Sequence, residues 1–159
     1  MFDTFRGLPV HALVVHAVVV LVPLAALGLI LVAVRPSWRR SFGPVVVLLA
    51  TAGLAMVPVA TRSGHRLKER LDASGIVAKQ IKNHQDMGSL VIWPTLAMWV
   101  LSIALIALDR RRGGSTGLTT AIAGLAVLAA LASVAQVAVT GELGTKAVWA
   151  CTIQSSACK

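Results

Sequence analysis

The sequence predicts an all-α membrane protein, a four-transmembrane-helix antiparallel bundle, and three observations carry that expectation. Hydrophobic residues make up 57% of the 159-residue chain and charged residues 13%, about half the charge of an ordinary soluble domain. The charges fall in blocks that leave four uncharged intervals, 7–34, 41–61, 87–108 and 113–141. Each reaches the roughly 20 residues a helix needs to cross a bilayer core. Pro23, Pro58 and Pro94 lie inside these intervals, where neighbouring membrane helices can satisfy the backbone groups a proline frees.

The elements follow in order. The first span, near 8–34, is preceded by Asp3 and a single Arg6. It is too long for a signal-peptide core, so it reads as a span and not as a cleaved leader. Pro36 ends it. The second span, near 43–62, has Pro44 in its first turn, where a missing N–H costs nothing. The short connection makes these two spans antiparallel neighbours, and the Gly113-Gly114-Ser115 turn does the same for the spans near 86–108 and 117–140. In the longer middle connection, Leu67/Leu71 and Val77/Ile81 are spaced i,i+4 among charges. That pattern predicts two amphipathic extensions meeting near Ser74-Gly75 and lying at the interface. Residues 1–150 thus form one transmembrane domain, and 151–159 a polar tail with two cysteines. Ala50, Gly53, Ala55, Gly124, Ala129 and Ser133 read as packing positions, and Trp38, Trp93 and Trp149 as interfacial anchors. No repeat of fixed period and no nucleotide-binding glycine fingerprint is visible.

The net charge of +9 does not point to nucleic acid, because the basic residues flank spans, where anionic lipid headgroups are their natural partners. An even number of spans puts both termini on one side. A plain tally of Lys and Arg favours cytoplasmic termini. The density of Arg35, Arg39 and Arg40 and of Arg110-Arg111-Arg112 in very short turns favours the opposite, which is the orientation expected here. Cys151 and Cys158 would then face an oxidising compartment and could close a small loop. Two free thiols in a frayed tail is an equal alternative.

All four histidines fall toward one membrane face. His11 and His16 open the first span, His65 follows the second and His84 precedes the third. Nearly the same number of residues separates His11 from Arg35, His65 from Arg40 and His84 from Asp109, so three imidazoles share one layer. His16 lies deeper, where an ionisable side chain is a functional-site hypothesis by default. His11 and His16 are five residues apart, about 140° around a helix, so they cannot both face one small ligand. Gly88, one turn after His84, would leave flat space beside the imidazole. The functional centre is therefore expected between His11 or His16 and His84. Histidines from two helices can clamp a haem, and Arg62, Arg66 and Arg70, at i,i+4 steps, could hold its propionates, although lipid phosphates suit these arginines too. A transition-metal site drawing on His11, His16, His65 and His84, with Asp86 or Glu142 nearby, is the competing chemistry. Ser133, Gln136 and Thr140 share a face of the fourth span and read as interhelical hydrogen-bonding groups.

The segment Leu8-Pro9-Val10-His11-Ala12-Leu13-Val14-Val15-His16 resembles the opening of a bacterial four-helix inner-membrane family catalogued as a domain of unknown function, which begins with a His-Pro-x-x-Val-His type motif. His84 with Gly88, and Thr140-Gly141-Glu142-Leu143-Gly144 through Val148-Trp149, fit later motifs of that family. Ala12 stands where a proline is expected, and Ala17-Val18 where an aromatic-proline pair is common. The resemblance implies a bacterial inner membrane and a histidine-lined site, without an activity. Three classes remain open: a b-type haem electron-transfer module with a redox partner, a scaffold or accessory subunit of a membrane complex, and metal or proton handling. No Ser-His-Asp, Cys-His or paired-carboxylate arrangement supports hydrolytic catalysis, and whether the protein is an enzyme stays open, with no independent catalytic activity the favoured reading. Transport is disfavoured by the lack of an inverted repeat or a pair of broken helices.

Overall fold

Runs of Ala, Val and Leu wind into helices that leave large apolar side chains such as Val20, Leu27, Leu48 and Leu128 on the outside of the bundle, the arrangement a lipid solvent rewards. The structure, a computed structural model, describes residues 4–5, 8–73, 79–112 and 117–153, with side chains described for 10–73, 79–111 and 117–149. Cys158, the Cys151 side chain, Ser74-Gly75, Val77 and the Gly113-Gly114-Ser115 turn lie outside the described residues.

A two-residue antiparallel pairing of Thr4–Phe5 with Leu8–Pro9 precedes α1 (Val10–Val34). A 3-10 turn at Pro36–Trp38 leads into α2 (Arg39–Ala73), followed by α3 (Lys79–Leu90), α4 (Ile92–Arg112) and α5 (Gly117–Ile153). Four stretches are long and apolar enough to cross a membrane: Val10–Val34, Pro36–Ala73, Lys79–Arg111 and Gly117–Trp149. The fold is the expected all-α four-helix membrane bundle. α1 packs on α2, α2 on α4, α4 on α5 and α5 on α1, while α3 lies against α5 and α2. Every neighbour in this ring is antiparallel.

Two local expectations change. Pro44 lies inside α2 and not in its first turn, because the 3-10 turn runs straight into α2 at Arg39. The extension carrying Leu67 and Leu71 does not bend to lie flat; α2 continues unbroken to Ala73, and α5 likewise to Ile153. At 1.5 Å per residue both are about 50–55 Å long, well beyond a hydrocarbon core of about 30 Å, so their ends project from it.

The third span is interrupted between α3 and α4 for an identifiable reason. Pro94 has no N–H, and its ring clashes with the carbonyl four residues earlier. The chain answers with a tighter turn, in which Val91 N–H donates to Gly88 O at 3.3 Å. That leaves the Met87 carbonyl without its helical donor, and Gln136 Nε2 on α5 supplies one at 2.9 Å. Gln136 thus acts between helices, as its position in the sequence suggests.

A repeat invisible as sequence identity is plain in the burial pattern. The buried residues of α2 are Arg39, Gly43, Val46, Ala50, Gly53 and Val57, and those of α5 include Thr119, Ala123, Ala126, Ala130, Ser133 and Val137. The two sets correspond one to one at a constant offset. At a slightly shorter offset, Val18, Val22, Ala25, Leu29, Val32 and Ala33 of α1 correspond to buried Val91, Thr95, Met98, Ser102, Leu105 and Ile106. The bundle is therefore two copies of one helical hairpin. Both copies start at the same face, so their pseudo-twofold axis runs along the bundle, the parallel kind of internal repeat. Of the expected packing positions, Ala50, Gly53 and Ser133 are buried, whereas Ala55 and Gly124 face outward.

At the end of the bundle away from the histidines, Arg39 is almost fully buried. Its Nε donates to Val32 O at 3.0 Å, Nη2 to Ala33 O at 3.0 Å and Nη1 to Asp109 Oδ1 at 3.1 Å. Val32 and Ala33 lie in the last turn of α1, where carbonyls lack helical donors and a cation is favoured. One guanidinium thereby caps α1, starts α2 and ties both to the end of α4.

Candidate functional site

His11 is the second residue of α1 and His84 lies midway along α3, at positions related by the same offset as Val18 and Val91. The repeat places the two imidazoles opposite each other across the pseudo-twofold axis, with ring centroids 6.1 Å apart and planes at 75°.

Each ring is held in the same way. His11 Nδ1 lies 3.1 Å from Ala60 O and 3.1 Å from Ser63 Oγ on α2. His84 Nδ1 lies 2.9 Å from Thr140 O on α5. A backbone carbonyl can only accept, so Nδ1 carries a proton in both rings, and Nε2 has no hydrogen-bond partner among the described residues, which in the neutral tautomer leaves its lone pair open. Four residues beyond each of these carbonyls is a glycine on which the ring rests. A Cβ at Gly64 would sit 2.9 Å from His11 Cε1, and one at Gly144 would sit 3.0 Å from His84 Cε1. A side chain at Gly64 would force the His11 ring to shift, and one at Gly144 would require the His84 ring to give by a few tenths of an ångström.

The two rings border a cavity of ≈ 640 Å³ whose walls are mostly apolar, among them Val15, Val57, Leu71, Ile81 and Val137. Its size is that of a small-molecule or cofactor pocket and far exceeds the room one ion requires. Thr140 also lines it, and its Oγ1 is buried with no hydrogen-bond partner among the described residues.

The other predicted site residues have different fates. His16 lines the cavity but is exposed, and its Nδ1 donates to Ala12 O one turn back in its own helix. His65 also borders the cavity and is exposed. Among the described residues, no group of three or more His, Cys, Asp or Glu could hold a metal ion. Gly88 lines the cavity, but a Cβ there would meet Thr140 Cγ2 at 3.6 Å and not the imidazole; Gly144, on a different helix, fills that role. Arg62 and Arg66 are exposed and neither borders the cavity. The cation that does so is Lys68, which also pairs with Asp72. Sequence reasoning missed Gly64, Gly144 and Lys68. The available signal was the pair Ala60-x-x-x-Gly64 and Thr140-x-x-x-Gly144, recurring at the offset that relates α2 to α5.

Fold and site together define a polytopic four-helix membrane protein, embedded in a lipid bilayer, with a paired-histidine cavity at one end. Over residues 7–157 the chain matches the family model described as Predicted membrane protein (DUF2231), and it belongs to that family. No curated protein and no solved structure matches it.

Proposed function

We propose that the protein is a b-type haem module of a bacterial inner membrane, in which His11 and His84 would hold the iron and the bound haem would supply single-electron transfer to a redox partner. The observation that carries this reading is the pair of glycine-backed imidazoles across the axis, each with Nδ1 tied to a backbone carbonyl and Nε2 free. Anchoring the far nitrogen of a ligating histidine orients the ring and raises its basicity. The two rings, with centroids 6.1 Å apart, are close enough for both to hold one iron, and the mostly apolar cavity suits a macrocycle better than a bare ion. Iron would supply the one-electron chemistry; the chain supplies orientation and a dry site.

The absorption spectrum of the purified protein, oxidised and then reduced, tests this. A Soret band with split α and β bands in the reduced state is expected. A colourless protein containing stoichiometric zinc or copper would select metal binding, and one with neither would select a scaffold. The histidine end is extracytoplasmic in this reading, since the arginine-dense short turns lie at the other end. Membrane-impermeant thiol reagents should then label Cys151 and Cys158 in reduced intact cells. Protection of both until the membrane is opened would reverse the orientation.

A further inference from the structure

We infer that the cavity takes its ligand in one orientation, with a carboxylate-bearing edge turned toward Lys68 and His65 on α2. The inference rests on the haem reading and assigns the side of the site that holds the propionates. The pseudo-twofold axis gives the cavity two equivalent walls. Thr61, His65 and Lys68 of α2 correspond to Gly141, Thr145 and Val148 of α5, and all six line it. The walls match in position but not in chemistry. α2 presents an ammonium and an imidazole where α5 presents a hydroxyl and an isopropyl group.

Among the described lining residues, Lys68 is the one Lys, Arg, Asp or Glu. A carboxylate entering a mostly apolar cavity is costly unless it meets a charge-assisted donor. An ammonium has three donors, so the pairing of Lys68 with Asp72 leaves others for a ligand. A neutral imidazole still has one N–H to offer. Without this one-sided charge, a macrocycle on a near-twofold site would bind in two orientations of similar energy. The asymmetry of a single lysine selects one.

The test uses the full-length protein loaded with haemin or with haemin dimethyl ester, which lacks the carboxylates. Lys68→Val, the residue at the equivalent α5 position, should weaken haemin binding about tenfold and leave ester binding unchanged. The ferric haem-methyl proton signals should divide from one set into two. Lys68→Arg should retain one set, and Lys68→Val combined with Val148→Lys should restore one set belonging to the reversed orientation. If Lys68→Val affects acid and ester equally, or changes neither affinity nor the number of sets while the Soret band persists, the inference is overturned and the haem reading stands. If the unmodified protein gives no Soret band with either porphyrin, both fall together.

Discussion

The two ends of this bundle both hold polar groups in apolar surroundings, and they handle them in opposite ways. At one end Arg39 spends its donors on Val32 O, Ala33 O and Asp109, so the protein satisfies the charge by itself. At the other end His11 and His84 each use one ring nitrogen on a carbonyl and keep the second free beside a cavity. A saturated buried network stabilises and specifies a fold. An unsaturated pair, set close to two glycines of the facing helices, is what the proposed function rests on. The ion pair has no counterpart in the repeat, since Thr119 stands at the place of Arg39; the histidine is what both hairpins keep.

The strongest way to break this comparison is at the histidines. On the proposed haem reading, His11→Ala and His84→Ala should each abolish the low-spin spectrum while the helical circular dichroism stays intact. His16→Ala and His65→Ala should then leave that spectrum unchanged. A low-spin spectrum surviving in His84→Ala would remove the functional half of the contrast.

The next largest effect is expected at the other end. Arg39→Met should cost about 3–5 kcal/mol, because it leaves Asp109 buried without a partner. The double variant Arg39→Met, Asp109→Leu should recover much of that loss, as read by reversible unfolding in detergent. Additive effects would show that the pair does not act as a unit.

Gly64→Ala and Gly144→Ala probe the symmetry of the site itself. Each added methyl crowds an imidazole, at a cost of about 1–3 kcal/mol for overpacking that the helix-propensity gain of about 1 kcal/mol partly offsets. Comparable shifts of the thermal midpoint, and of the Soret band on the haem reading, are expected in the two variants. A shift in only one would mean that the two half-sites are not equivalent. The smallest effect is expected for Gln136→Leu, which removes the donor to Met87 O and should cost about 0.5–1.5 kcal/mol, since the bond is exposed and water can replace the donor. The spectrum should be unchanged, and faster hydrogen exchange around Gly88 and Val91 would report the loosened break.

Much of this was legible from residue order. His11 and His84 could be put at one depth by counting from Arg35 and Asp109, because the rise per residue of a helix is constant. Gly88 looked like the ring's neighbour because it lies one turn away on the same helix. Gly144 is remote in sequence and reaches His84 only through the packing of α3 on α5. Arg62 and Arg66 were the conspicuous cations, yet helix rotation turns Lys68 to the cavity. The hairpin duplication is hidden in the sequence because one small apolar residue replaces another, such as Gly43 by Ala123 or Val46 by Ala126, and only burial makes the correspondence visible.

By itself the sequence determined the number of spans, their antiparallel order and the clustering of the four histidines at one end of the bundle. These depend on local hydropathy, chain length and helical rise, which each segment carries within itself. Tertiary structure decided that His11 and not His16 meets His84, that Arg39 is buried while Arg62 is not, and that two glycines back the imidazoles. Those outcomes depend on the rotation of each helix about its axis. A helix apolar on nearly every face carries no stripe that declares which side will meet its neighbours, so the choice falls to the fit of small and large side chains across the interfaces.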